Sequence, residues 1–108
     1  MPKIEQTYYD AFEKLKRPHL KPIFNALLDK IDQGYTSVQK PIRSCNMVEK
    51  SRYQLYEAVS NMDGGYRIYW KKLPNIKDAK PIVIWCGLKK NQMKDVKTAF
   101  QLCGVNKI

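Results

Sequence analysis

The sequence predicts an α+β domain: a small twisted antiparallel sheet of three to four strands, packed against an N-terminal helical hairpin, with a C-terminal helix. Three observations carry this prediction. Apolar residues from Leu20 to Ile31 recur at helical spacing. Residues 53–88 hold three runs rich in Val, Ile, Tyr and Trp, separated by two turn-like clusters, the pattern of an antiparallel meander. Residues 93–103 form a last periodic segment. A chain of 108 residues suits one domain, 1–108, with one packed core.

Taken in order, residues 4–8 (IEQTY) alternate weakly and suit a short first strand. Residues 9–17 suit a helical turn or two with Phe12 and Leu15 inward, interrupted by Pro18. Helix is expected over 19–32, where Leu20, Ile23, Phe24, Leu27, Leu28 and Ile31 form one stripe and Gly34 supplies a left-handed cap. Residues 35–52, with Pro41 and few periodic apolar positions, read as a loop from helices to sheet. Its cations, including Lys50 and Arg52, would line one edge of a groove, since so polar a loop stays at the surface. The cluster NMDGG at 61–65 is a turn with two glycines able to take positive φ. Pro81 is tolerated where a strand begins. IVIW is apolar on both faces, which predicts the central or most buried strand. The closing helix would place Met93, Val96, Phe100 and Cys103 on one side.

Composition narrows the class. Hydrophobic residues at 44% and aromatics at 11% describe a globular chain. No apolar run reaches the ~20 residues of a membrane span, and the polar N-terminus does not resemble a secretory signal. Cys45, Cys86 and Cys103 are odd in number, form no CxxC pair and have one histidine to help, so neither a disulfide framework nor a zinc site is expected. The expectation is three reduced thiols in a cytoplasmic protein without metal or cofactor. His19 reads as a helix-start residue. The net charge of +10 is segregated: six basic against five acidic residues through position 33, fourteen against five beyond it. Such a half attracts phosphates in a salt-dependent way, and a nucleic acid is the expected partner.

Within YRIYW, alternation sends Tyr66, Ile68 and Trp70 to one face and Arg67, Tyr69 and Lys71 to the other. With the first face on the helices, the second would be solvent-accessible. There the Arg67 guanidinium could fork onto a phosphate, and Tyr69 could stack a base. Glu57, the one acid of YQLYEAV, could be a general base, or simply the ion-pair partner of Arg67. Lys89 and Lys90 follow a strand end and Gly87, where functional groups often sit.

The succession LYEAV, a Gly-containing turn, YRIYW, a connection, then IVIWCGLKKNQ and a closing helix resembles the RelE/ParE superfamily of toxins, closest to its RelE/HigB-like branch and phage-derived relatives. The likeness covers most of the chain and is strongest over 53–100. It implies a type II toxin-antitoxin toxin: a metal-independent endoribonuclease that cleaves mRNA at the ribosome and is neutralised by an antitoxin. The ParE branch, which poisons gyrase, is the alternative within the fold, and a non-catalytic nucleic-acid-binding module is the alternative outside it. By matching position, the resemblance gives Arg67 the scissile phosphate, Lys89 the developing charge, and Glu57 a strand position that is acidic in many members. Gln92 corresponds to the glutamine of the Lys-Lys motif; with Lys90, Lys94, Tyr69, Lys71, Lys50 and Arg52 it completes the RNA-binding set. This chain departs from the pattern at Val59, where an arginine is usual, and at Leu88, where an aromatic is usual. The Tyr or His that some members carry near the C-terminus has no obvious equivalent, since the last segment offers only Phe100.

Overall fold

The computed structural model describes residues 2–34, 40–44, 53–60, 65–73 and 78–103. Their order is β1 (Lys3–Ile4), α1 (Gln6–Lys14), α2 (Lys21–Asp32), β2 (Lys40–Ser44), β3 (Gln54–Ser60), β4 (Tyr66–Lys72), β5 (Ile82–Leu88) and α3 (Gln92–Cys103), with single 3-10 turns before α2 and α3. The predicted α+β class holds. The sheet has five strands in the order β1-β5-β4-β3-β2. β2 through β5 pair antiparallel, and β1 lies parallel to β5.

The meander forms because each run alternates. Tyr56 and Ala58 of β3, with Tyr66, Ile68 and Trp70 of β4, join Val83, Cys86 and Leu88 of β5 in one core against Phe24, Leu27, Leu28 and Ile31 of α2. Phe24 stands edge-on to both Phe12 of α1 and Tyr66 of β4, with ring centroids 5.3 and 5.5 Å away. That locks hairpin to sheet. Burying each such side chain contributes about 1.5–3 kcal/mol.

Several expectations shift. The first strand stops at Ile4; one further bond, from the Glu5 N–H to the Val83 carbonyl at 2.9 Å, holds it to β5 before α1 begins at Gln6. α1 begins at Gln6, earlier than expected, since Tyr8 and Ala11 are already on its buried stripe. The Thr7 hydroxyl then donates to the Ile84 carbonyl at 2.6 Å and pins α1 to β5. Gly34 has the positive φ expected of a cap, 74°, and its N–H reaches the Ile31 carbonyl. Within the stretch expected to be a loop, β2 pairs with β3, from Lys40 opposite Glu57 to Ser44 opposite Gln54. Its register slips between Pro41 and Arg43. Proline has no N–H to give a ladder, which masks the strand in the sequence. The remainder of 35–52, with Lys50 and Arg52, lies outside the described residues, as do 61–64 and 74–77. The central strand is β4, whereas the doubly apolar β5 lies one place out, because β1 adds itself to the β5 edge.

α3 covers the face of the sheet expected to be open. Leu55, Tyr69, Ile84, Ala99 and Cys103 make a second core there, joined by Val96 and Phe100. Met93 is 82% exposed. The inward stripe of α3 runs through Asp95, Val96, Ala99, Phe100 and Cys103, and Met93 sits off that stripe. Cys86 is a free buried thiol, but Cys103 is disulfide-bonded, which corrects the expectation of three reduced thiols. Residue spacing does not reveal which thiols a fold brings within bonding distance. Among the described residues no helix is long and apolar enough to cross a membrane.

Candidate active site

The site lies where β4 begins, β5 ends and α3 starts. Pairing sets Arg67 opposite Gly87 on one side and Val59 on the other, with Glu57 opposite Tyr69. Glu57 and Arg67 are therefore diagonal neighbours on the α3 face, within reach of long side chains. Arg67 Nε lies 3.8 Å from Glu57 Oε1, the ion pair anticipated as the alternative to a catalytic role. Nη1 donates to the Tyr66 carbonyl at 3.1 Å, while the buried Nε–H has no hydrogen-bond acceptor. From the first residue of α3, Gln92 Nε2 donates to both Glu57 oxygens, at 3.1 and 2.9 Å. Arg67 and Glu57 are 5% and 3% exposed, so the pair forms a floor beneath the surface.

Gly65 connects this floor to the rim. It has φ 95°, which glycine tolerates and a side-chain-bearing residue resists. Its carbonyl accepts from the Lys89 N–H at 3.1 Å. A Cβ at Gly65 would meet Lys89 Cβ at 3.1 Å and Arg67 Nη1 at 3.3 Å. The guanidinium, from β4, and the exposed Lys89 side chain, from the 3-10 turn after β5, thus flank the same point. The N-terminus of α3, three residues on, adds the positive end of its dipole.

Next to them lies a partly buried polar cluster that sequence reasoning missed. Asp95 reaches from α3 to accept from Trp85 Nε1 at 3.0 Å. It fills the space above Gly87, where any Cβ would run into its carboxyl group, with Cγ at 2.7 Å. Its Oδ2 is buried without a donor, and burial raises its pKa. Asp95 is the one acid after residue 80, and a glycine ends the preceding strand run. Those two facts were the available signal.

The other predicted residues separate. Lys90 is exposed beside Lys89. Lys94 is exposed one turn along α3, outside the cleft. The Gln92 amide is committed to Glu57, so it does not face a ligand. Tyr69 is fully buried under α3 and cannot stack a base. Burial, with the Glu57 and Asp95 carboxylates nearby, pushes its phenol pKa up, and the hydroxyl makes no well-formed hydrogen bond. Lys71 is also buried, at the far end of β4; its Nζ donates to the Cys103 carbonyl at 3.4 Å and lies 4.6 Å from the Tyr53 ring centre. Burial lowers its pKa, and it supports the end of α3 rather than meeting RNA. The expected open face failed for Tyr69, Lys71 and Arg67 alike, because α3 spends its apolar stripe on it.

No protein family, no curated protein and no solved structure matches this chain.

Proposed function

We propose that this chain is the toxin of a type II toxin-antitoxin pair, a cytoplasmic, metal-independent endoribonuclease that cleaves mRNA at the ribosome and is held in check by an antitoxin protein. The observation that carries this reading is the convergence on Gly65 of Arg67, from β4, and Lys89, from the 3-10 turn after β5. A phosphodiester seated at the rim above that point would meet the exposed Lys89 side chain directly and the charge of the buried Arg67 guanidinium from below. When the 2′-OH gives its proton to water or to a released Glu57 and attacks the adjacent phosphorus, the P–O5′ bond breaks and the 5′-oxygen leaves with a proton from water; charge builds on the non-bridging oxygens, and fixed cations there lower the barrier. Arg67 and Lys89 supply that charge, and Lys90 is next in line. Glu57 can take the 2′-OH proton only if Gln92 releases it. In the arrangement seen, its burial and double hydrogen bond fit the anchoring of Arg67 better.

The test is cleavage of mRNA by purified protein, alone and with translating ribosomes. Arg67→Ala should lower the rate by roughly 10²–10³, the usual effect of removing one preorganised donor to a developing oxyanion. Arg67→Lys, which keeps a charge opposite Glu57, controls for folding. Undiminished cleavage by a folded Arg67→Ala protein would remove Arg67 from the chemistry. The enclosure of Glu57 favours a second reading, a nucleic-acid binder that never cleaves, and that reading predicts salt-dependent binding with intact RNA throughout. A reducing cytoplasm would bear on the Cys103 disulfide, so both redox forms belong in the assay.

A further inference from the structure

We propose that the outward face of α3 is a second nucleic-acid contact, a strip that holds the phosphate backbone of a duplex outside the cleft at Gly65. Lys94 and Lys97 of α3 are exposed at the three-residue spacing that stacks side chains on one helical face, and Lys90, exposed in the 3-10 turn just before the helix, precedes them. With that turn included, Lys90 and Lys97 are on the order of 10 Å apart. Met93, 82% exposed, stands among them.

The one carboxylate on the helix feels the Lys94 charge but is not exposed among the lysines. The single acid of α3, Asp95, is turned inward onto Trp85 and Gly87. The hairpin helices differ: Asp10, Glu13, Asp29 and Asp32 are exposed among their lysines. The positive excess of the second half of the chain is thus displayed, in part, as a row on a helix seated firmly against the sheet by Val96, Ala99 and Phe100.

Two features favour a backbone over an acidic protein segment. A docking helix or strand needs an apolar seam, and this face offers one methionine. Lysines are compact point charges without the planar fork of arginine, which suits contacts that position a phosphate chain without reading its bases. A duplex carries one charge per ~1.7 Å of axis, so a rigid row of this length meets several phosphates at once.

The experiment is fluorescence anisotropy of labelled RNA and DNA duplexes of about 16 bp, the span of a small duplex-binding domain, titrated at 50–200 mM salt. The Lys94→Glu/Lys97→Glu variant should bind at least tenfold more weakly than wild type. Its slope of log affinity against log salt should be shallower by about 2, close to 0.9 per lost contact. The control is Lys21→Glu/Lys30→Glu on α2, which makes the same change in net charge and should leave most of the affinity in place. An equal loss in both variants would reduce the effect to overall charge and overturn the strip, as would a wild type that binds neither duplex at 50 mM salt. Polyglutamate that binds as tightly as the duplexes, and equally through Lys94 and Lys97, would reassign the face to an acidic protein. The two duplexes tell RNA from DNA as the source of the phosphates. If the ribonuclease reading fails, RNA stays uncut while duplex binding still depends on α3. If this inference fails, duplex binding ignores Lys94 and Lys97 whatever the cleavage assay gives.

Discussion

The two faces of the sheet are built from the same strands and do opposite things. Toward the α1–α2 hairpin the meander presents Ala58, Tyr66, Ile68, Trp70, Val83 and Cys86, an almost wholly apolar surface. Toward α3 it presents Leu55, Ile84 and Tyr69 together with the three buried charged residues found among the described residues, Glu57, Arg67 and Lys71. Of the four buried polar side-chain atoms without a partner among the described residues, those on Arg67, Tyr69 and Asp95 are on that side too; the fourth is the Trp70 indole N–H. Burying charges is expensive, and apolar residues of similar volume often serve stability as well or better. The hairpin face therefore holds the fold, and the α3 face carries a cost that function must explain. Its polar end, at Gly65 and Lys89, is where the candidate site lies.

The contrast can be broken most decisively at Phe24. Phe24→Ala on the hairpin face should cost about 3–5 kcal/mol in urea unfolding, the range for a fully buried aromatic. A cost below 1 kcal/mol would mean that the hairpin is not the main support. On the α3 face, Gly87→Ala should destabilise by about 1–3 kcal/mol, because its methyl group displaces the Asp95 carboxyl. In the Gly87→Ala/Asp95→Ala double variant much of that loss should vanish, and strict additivity would show that the two do not share the space. The smallest effect concerns pH. Burial lowers the Lys71 pKa in the folded state, so the unfolded chain binds more protons between that value and 10.5. Stability from this group is present above 10.5 and lost as pH falls through the folded pKa. Unfolding curves from neutral pH to 10.5 should rise more for wild type than for Lys71→Met, and parallel profiles would contradict a strained Lys71.

Much of this molecule was legible beforehand. The helical stripe from Leu20 to Ile31, the three alternating runs and the cap at Gly34 are local signals, dictated by period and by backbone freedom, and the structure carries each of them. Arg67 and Glu57 were readable as a pair because strand alternation puts both on one face. β2 was not, since Pro41 disguises a strand whose evidence is its partner.

What residue order by itself determined was which side chains share a face and where the positive charge accumulates. Only the tertiary structure decided which face stays wet. α3 lies across the Arg67–Tyr69–Lys71 side, burying Tyr69 and Lys71 yet leaving Lys89 at the rim and the lysines of its own back in solvent. The physical reason is that periodicity is a property of neighbouring residues, whereas exposure depends on what a distant segment covers, and the apolar stripe of α3 could be matched to its sheet face only once the chain had closed on itself.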